Sequence, residues 1–425
     1  MSNTLKRAMD RIAEEKLERR EILRLMGLTT MATAGLPGIL QYARAQDELK
    51  AASELIAGKS DLMIVHNDRV GVMETPLELL REHAVTPKDI LYLRNNQILE
   101  PEGRNLGGVS LDDWTVELSG LVAFPRVVTG AMLAAMPQTE VEMVLQCSGN
   151  GRSFYARAVR TRGTQWAHGG MGNVTFGGVM LRDVLASFDP PLNPRPEVAF
   201  ITAEGADAPP EGASRPDFEH SVPLEDALNR GMLAITMNGE PLPGAHGGPV
   251  RLVIPGYYGT MNVKWVSTLR FETEETNNVN QIPRYRVPKD PIEPGTPIDY
   301  TFDNSTANWR QRVKSVIFEP LNGAELAAGT VTVRGVAWGG DAPITMVQVS
   351  ADNGASWQAA NLQTPGSTWA WHHFSAELEV ASGEQRIWVR AIDELGNSQP
   401  LNGTVRWNPS GYEWNGADYV DVVIG

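Results

Sequence analysis

Val144-Leu145-Gln146-Cys147-Ser148-Gly149-Asn150-Gly151-Arg152-Ser153 carries the single cysteine of a 425-residue chain. Residues 141–145 read as a short apolar strand. The Ser-Gly-Asn-Gly run after it reads as a turn that lifts one side chain out of the sheet. One cysteine makes no disulfide within its own chain, so its value lies in packing or in reactivity. Lone cysteines are most often small buried hydrophobes. Here glycines surround the turn and Arg152 follows closely, which predicts a partly exposed thiol near positive charge. A thiolate in that setting is also the donor that a soft, redox-active metal prefers.

Outward from this turn, residues 123–270 alternate short strands and short helices between Gly- and Pro-rich turns, the pattern of a mixed α+β domain. Before it, Thr75-Pro76-Leu77-Glu78 is a capped helix start with proline in its first turn. Residues 87–96 read as a strand delivering a polar tip, and the alternation over 114–122 marks a further half-buried strand. Four prolines between 287 and 297 make a stiff linker. Beyond the linker, residues 313–319, 329–337, 344–350, 356–360, 370–380, 385–393 and 405–407 are short, alternating and separated by turns. That spacing predicts an all-β sandwich of immunoglobulin type. The chain therefore divides into a segment 1–45, a catalytic domain 46–290, a linker 291–300 and a sandwich 301–425.

Composition narrows the class. The chain is 42% hydrophobic and 21% charged, with a net charge of −14. The acidic balance argues against nucleic acid, whose phosphates demand a basic footprint, and suits an enzyme that meets a basic protein partner. In segment 1–45, Arg19-Arg20 precede an apolar run from 25 to 40, and Ala43-Arg44-Ala45 fits a small-x-small cleavage pattern. This is the outline of a twin-arginine export signal, so a periplasmic location is expected. The run is broken by Gly35, Pro37 and Gly38 and is short for a membrane span. The sequence contains no Walker A loop, no HExxH or CxxC zinc spacing, no G-x-S-x-G elbow, and no CxxCH for covalent haem.

Four further stretches carry chemistry. Leu93-Arg94-Asn95-Asn96 ends the polar-tipped strand. Gly163-Thr164-Gln165-Trp166 follows the cysteine turn. His246-Gly247-Gly248-Pro249-Val250-Arg251, Pro255-Gly256-Tyr257-Tyr258-Gly259 and Lys264-Trp265 form one block, whose glycines let backbone amides approach a ligand closely. Arg251 offers a bidentate fork to a phosphate, and Lys264 adds a point charge. Pro283-Arg284-Tyr285-Arg286 stands just before the linker.

Together with the L-x-C-x-G-N-x-R turn, these stretches resemble the sulfite oxidase family of molybdenum enzymes. The later segments Val333-Arg334-Gly335-Val336-Ala337-Trp338 and Trp407-Asn408-Pro409-Ser410-Gly411-Tyr412 resemble that family's dimerisation domain. The resemblance implies a molybdenum–molybdopterin cofactor, with Cys147 as the protein ligand of the metal and no haem in this chain. It implies cofactor contacts from Asn96, Ser148, His246, Arg251 and Lys264, and a substrate pocket of Arg94, Arg152, Trp166 and Tyr285. Asn96 stands where the family has a histidine. Ser410 stands where plant and animal members carry a further arginine, so no third arginine is assigned.

The implied activity is oxidation of sulfite to sulfate in the periplasm, with electrons passed to an external c-type cytochrome and a homodimer formed through the C-terminal domain. Its rivals are a sulfane dehydrogenase subunit of a thiosulfate-oxidising complex, a sulfoxide reductase and, from another class, a noncatalytic secreted binding protein. A sulfoxide reductase usually lacks the sandwich, so residues 300–425 weigh against that rival.

Overall fold

The structure is a computed structural model that describes residues 56, 58–68, 70–96, 109–207, 217–401 and 404–425. The expected signal segment lies outside these residues. Among the described residues, no helix is long and apolar enough to cross a membrane.

Sheet dominates more than the sequence pattern suggests. Among the described residues, the four α-helices, Leu77–Leu80, Gly130–Ala135, Leu181–Ala186 and Leu224–Arg230, are all short. Each runs at most two turns and buries only one to three residues. Helices this short gain their stability from packing against sheets rather than from intrinsic propensity.

Two five-stranded sheets build the first half. In one, Thr139–Gln146 pairs antiparallel with Met171–Met180, which pairs with Met232–Met237; Arg251–Val253 adds to the last of these. In the other, Thr115–Gly120 runs parallel to Val266–Glu272 and antiparallel to Arg126–Thr129, and Phe200–Gly205 and Glu219–Pro223 continue the far side. A large apolar cluster joins the second sheet to the helices, with Val116, Leu118, Ile201, Leu269 and Phe271 at its centre. The strand expected over 87–96 shrinks to Leu93–Arg94 on the edge of a small sheet. Pro87 explains this, because residues 87–91 close a turn through bonds from the Ile90 and Leu91 amides to the Pro87 carbonyl.

The second half is two stacked sheets. One holds Lys314–Glu319, Gly329–Trp338, His372–Val380 and Asn361–Leu362. The other holds Asp418–Ile424, Gly383–Asp393 and Ile344–Ser350, flanked by Glu325–Leu326 and Gln358–Ala359. Val333, Ala376, Val347, Ile387, Val389 and Val422, drawn from both sheets, share one buried core. Six of the seven expected strands are present. The seventh, at 405–407, is not a strand, and Asp418–Ile424 completes the sheet in its place. Before the linker, Arg286–Pro288 pairs with Ser305–Ala307 beyond it, so a two-stranded ribbon brackets the linker.

Candidate active site

Cys147 sits at the end of Thr139–Gln146, where its amide still bonds the Gly170 carbonyl at 2.8 Å. The chain then turns: the Asn150 amide bonds the Cys147 carbonyl at 2.9 Å, and the Arg152 amide bonds the Gly149 carbonyl at 2.9 Å. Gly151 takes φ +89°, and a Cβ there would stand 2.5 Å from the Trp414 ring, so neither the backbone nor the space admits a side chain. Strand pairing thus delivers the thiol to a cleft.

The walls of that cleft gather most of the residues singled out in the sequence. Arg94, Asn96, Cys147, Ser148, His246, Arg251, Lys264 and Tyr285 line it. Arg152 and Trp166 do not. The Arg152 guanidinium folds back beneath the turn, where its Nε donates to the Ser410 carbonyl and one terminal nitrogen to the Thr164 carbonyl, both at 2.8 Å. Its face lies 5.2 Å over the Tyr412 ring, and Tyr412 stacks on Tyr285 at 5.2 Å and 15°. Trp166 is fully buried one layer behind the wall, edge-on to Tyr92 at 6.0 Å. Cys147 is itself 9% exposed, more buried than its glycine-rich turn suggests. The positive charges on its cleft come from Arg94, Arg251 and Lys264 rather than from Arg152.

The electrostatics of the cleft fit an anionic ligand. Lys264 Nζ donates to Asn95 Oδ1 and to the Ala245 carbonyl, the latter at 3.0 Å. Burial holds its pKa well below the ordinary lysine range, and the neighbouring Arg251 pushes it further the same way. Burial also lowers Arg251 to about 10. His246 is driven well below its ordinary value, first by burial and then by Lys59, Lys264 and Arg251. Lys59 Nζ bonds His246 Nε2 at 2.7 Å, and burial brings it down to about 7. Asp207 is the sole carboxylate among the described residues of the wall. Cations crowded and desolvated with so little countercharge are strained until an anion enters.

The donor set points the same way. Among the described residues, no cluster of three or more His, Cys, Asp or Glu gathers to hold an ion. A metal on Cys147 would suit a non-protein group that brings further ligands of its own. Ser148 Oγ is buried on the wall without a hydrogen-bond partner, a free donor for such a group. The thiol, the cluster of cationic side chains and the unused hydroxyl fit a metal–pterin phosphate. Tyr285 OH donates to Asn96 Oδ1 at 2.9 Å, which joins on one wall a residue placed by spacing and one that departs from the family pattern.

The sequence did not single out Tyr92, Thr260, Asn262 or Asp207, which also line the cleft. Thr260 and Asn262 occupy the variable positions between Gly259 and Lys264, so the block itself was the signal. Tyr92 precedes Arg94 by two and shares its strand tip. Lys59 had no signal.

The C-terminal half closes the back of the site. It bonds the strand and turn around the thiol at alternate residues. Gln311 donates to the Val144 carbonyl at 2.8 Å, and the Trp338 indole donates to Gln146 Oε1 at 3.0 Å. The Glu413 amide donates to the Ser148 carbonyl at 3.0 Å, and Lys314 Nζ to the Asn150 carbonyl at 3.1 Å. Arg152 donates to Ser410.

Comparison with known proteins places this arrangement. Residues 105–280 match the oxidoreductase molybdopterin binding domain, and residues 305–421 match the Mo-co oxidoreductase dimerisation domain. Sulfite oxidase of Gallus gallus is 33% identical over 352 residues, covering 80% of this chain and 73% of that protein. Mitochondrial sulfite oxidase of Homo sapiens is 32% identical over 379 residues, covering 85% of this chain and 65% of that protein, so the chain spans about two thirds of the length of that relative. The crystal structure of the sulfane dehydrogenase SoxCD from Paracoccus pantotrophus superposes with a TM-score of 0.68 at 28% identity, covering 85% of this chain and 86% of that one. The chain belongs to the sulfite oxidase family of molybdoenzymes, and its cofactor is molybdenum–molybdopterin.

Proposed function

We propose that the protein oxidises sulfite to sulfate. The observation that carries this reading is the cationic cleft around Cys147, with Arg94, Arg251 and Lys264 set against Asp207, the single carboxylate among the described residues of the wall. The balanced change is sulfite plus water giving sulfate, two protons and two electrons. When bound, the molybdenum–molybdopterin group supplies the two-electron redox chemistry. Cys147 anchors it as a thiolate, while Arg251, Lys264, His246 and Ser148 hold its pterin and phosphate. Arg94 is the cation left for the substrate, and its planar fork suits a small oxyanion. Tyr285, tied to Asn96 and stacked on Tyr412, orients that anion. Arg152 and Trp166 act from behind, by fixing Tyr412 and Tyr92.

With no haem in the chain, the two electrons leave singly to an external acceptor, for which a c-type cytochrome is the natural class. The C-terminal sandwich forms a homodimer. Arg19-Arg20 directs export to the periplasm, and a Lys-Lys replacement strands the protein in the cytoplasm with its cofactor bound; normal periplasmic accumulation would reject the export assignment.

A second reading has its own support. The fold likeness to a sulfane dehydrogenase runs over 85% of the chain. A substrate panel of sulfite, thiosulfate and sulfoxides, assayed with ferricyanide and cytochrome c, separates the two. Turnover of sulfite with cytochrome c supports the first reading. Inertness to sulfite with turnover of a sulfane sulfur replaces it. A metal assay giving about one molybdenum per chain excludes a noncatalytic binding protein, whose value is zero.

A further inference from the structure

Thr260, in the short helical turn Gly259–Met261, is half-buried on the cleft wall. Its hydroxyl lies 2.9 Å from His220 Nε2. His220 is fully buried, and its Nδ1 lies 2.8 Å from Gln281 Oε1. Gln281 is fully buried as well. Its Nε2 donates to Glu275 at 2.6 Å and to the Ser221 carbonyl at 3.3 Å, while its Oε1 accepts from the Ser221 amide at 3.2 Å. Arg286 pairs with Glu275 at 2.6 Å, donating to the same oxygen that accepts from Gln281.

Every donor and acceptor in this chain is then determined. Glu275 only accepts, so the NH₂ end of Gln281 faces it and the oxygen end faces His220. Nδ1 of His220 must therefore carry the proton, and Nε2 of the neutral ring presents a lone pair. Burial drives His220 down to about 4, which keeps the ring neutral. Among the described residues, the hydrogen that meets that lone pair is the Thr260 hydroxyl hydrogen, so Thr260 is left with lone pairs alone toward the cleft. The chain does not conduct protons, because the Gln281 amide does not pass one on. It works as an orientation lock.

We propose that Thr260 contacts the cofactor as a hydrogen-bond acceptor, reading an N–H donor on the pterin edge, with His220 and Gln281 as positioning residues that fix the hydroxyl in that sense. This rests on the molybdopterin reading of the cleft. An oxygen that only accepts is matched to a ring N–H or amino group. It is mismatched to a sulfite oxyanion, which also only accepts.

The test compares Thr260→Val, Thr260→Ser and His220→Phe with the wild-type holoenzyme. The readouts are molybdenum and pterin per chain after extended dialysis, the rate of pterin release followed by fluorescence, and KM for sulfite per loaded site. Thr260→Val should release pterin about tenfold faster, with KM unchanged and the apo-protein melting as wild type does. Thr260→Ser, which keeps the hydroxyl, should retain cofactor as wild type does. The Thr260→Val/His220→Phe double variant should lose no more cofactor than Thr260→Val alone, because His220 acts through the hydroxyl. Full cofactor retention in Thr260→Val with a raised KM overturns the proposal in favour of a substrate contact. Full retention with only a lower melting temperature overturns it in favour of a packing role. Wild-type protein that never carries molybdenum overturns the cofactor reading itself, a result separable from the other two.

Discussion

Lys314→Met should make the apo-protein more stable at neutral pH while impairing the enzyme. Lys314 opens the strand Lys314–Glu319 and sends its ammonium across to the Asn150 carbonyl, three residues past Cys147. It is 1% exposed. Burial lowers its pKa from 10.5 to about 7, although Asp418 and Glu74 pull the other way. The folded state therefore binds fewer protons than the unfolded state between pH 7 and 10.5. Stability rises with pH across that window, and the full penalty is present below pH 7. At 1.36 kcal/mol per pKa unit the shift costs on the order of 4 kcal/mol at pH 7. Methionine fills similar volume without a charge but leaves the Asn150 carbonyl unpaired, a loss of about 1–3 kcal/mol. The net expectation is a gain of about 1–3 kcal/mol at pH 7 that shrinks and reverses as the pH approaches 10.5. Melting temperatures of apo wild type and variant, compared at each pH from 6 to 10, cancel the groups they share. Molybdenum content and kcat, measured alongside, should both fall. A variant less stable than wild type at pH 7, with a difference that does not vary with pH, would refute the reasoning.

Four further substitutions test the site. Cys147→Ser should abolish activity and leave a folded protein, because a hydroxyl is a poor ligand for a soft metal; near wild-type turnover would remove the basis of the site. Arg94→Gln should cost roughly tenfold to a hundredfold in kcat/KM, mainly through KM, since it faces the cleft. Arg152→Gln should act mainly on kcat through Tyr412 and Tyr285, and steady-state kinetics at fixed pH and ionic strength should separate the two. Wild-type parameters for sulfite in both variants would reject sulfite as the substrate. Gly151→Ala meets a left-handed backbone and the Trp414 ring together and should lower the melting temperature by several degrees, read by calorimetry.

The sequence made some of this legible and hid the rest for identifiable reasons. The cysteine turn could be read because its chemistry is written in side chains and its geometry in glycines. The sandwich strands could be read because a sheet with one buried face repeats every two residues, as in Thr332-Val333-Arg334. Asp418–Ile424 alternates just as cleanly, but the irregular run 408–417 interrupts the turn-to-turn rhythm that located the earlier strands. Harder to see were the contacts that hold the metal turn. Gln311, Lys314, Glu413 and Arg152 all bond to backbone carbonyls or through a backbone amide across 160 to 265 residues of chain. A carbonyl is present at every position, so such a partner leaves no mark in the sequence. Among these hydrogen bonds, that of Trp338 with Gln146 is the one that joins two side chains. The consequence is a second role for the C-terminal half. Because it holds residues 144, 146, 148, 150 and 152 in turn, a shift of that sandwich relative to the first sheet would move the Cys147 sulfur directly. A domain that matches a dimerisation module is thus also the back wall of the proposed metal site, and substitutions in its first strand should register in molybdenum content before they register in oligomeric state.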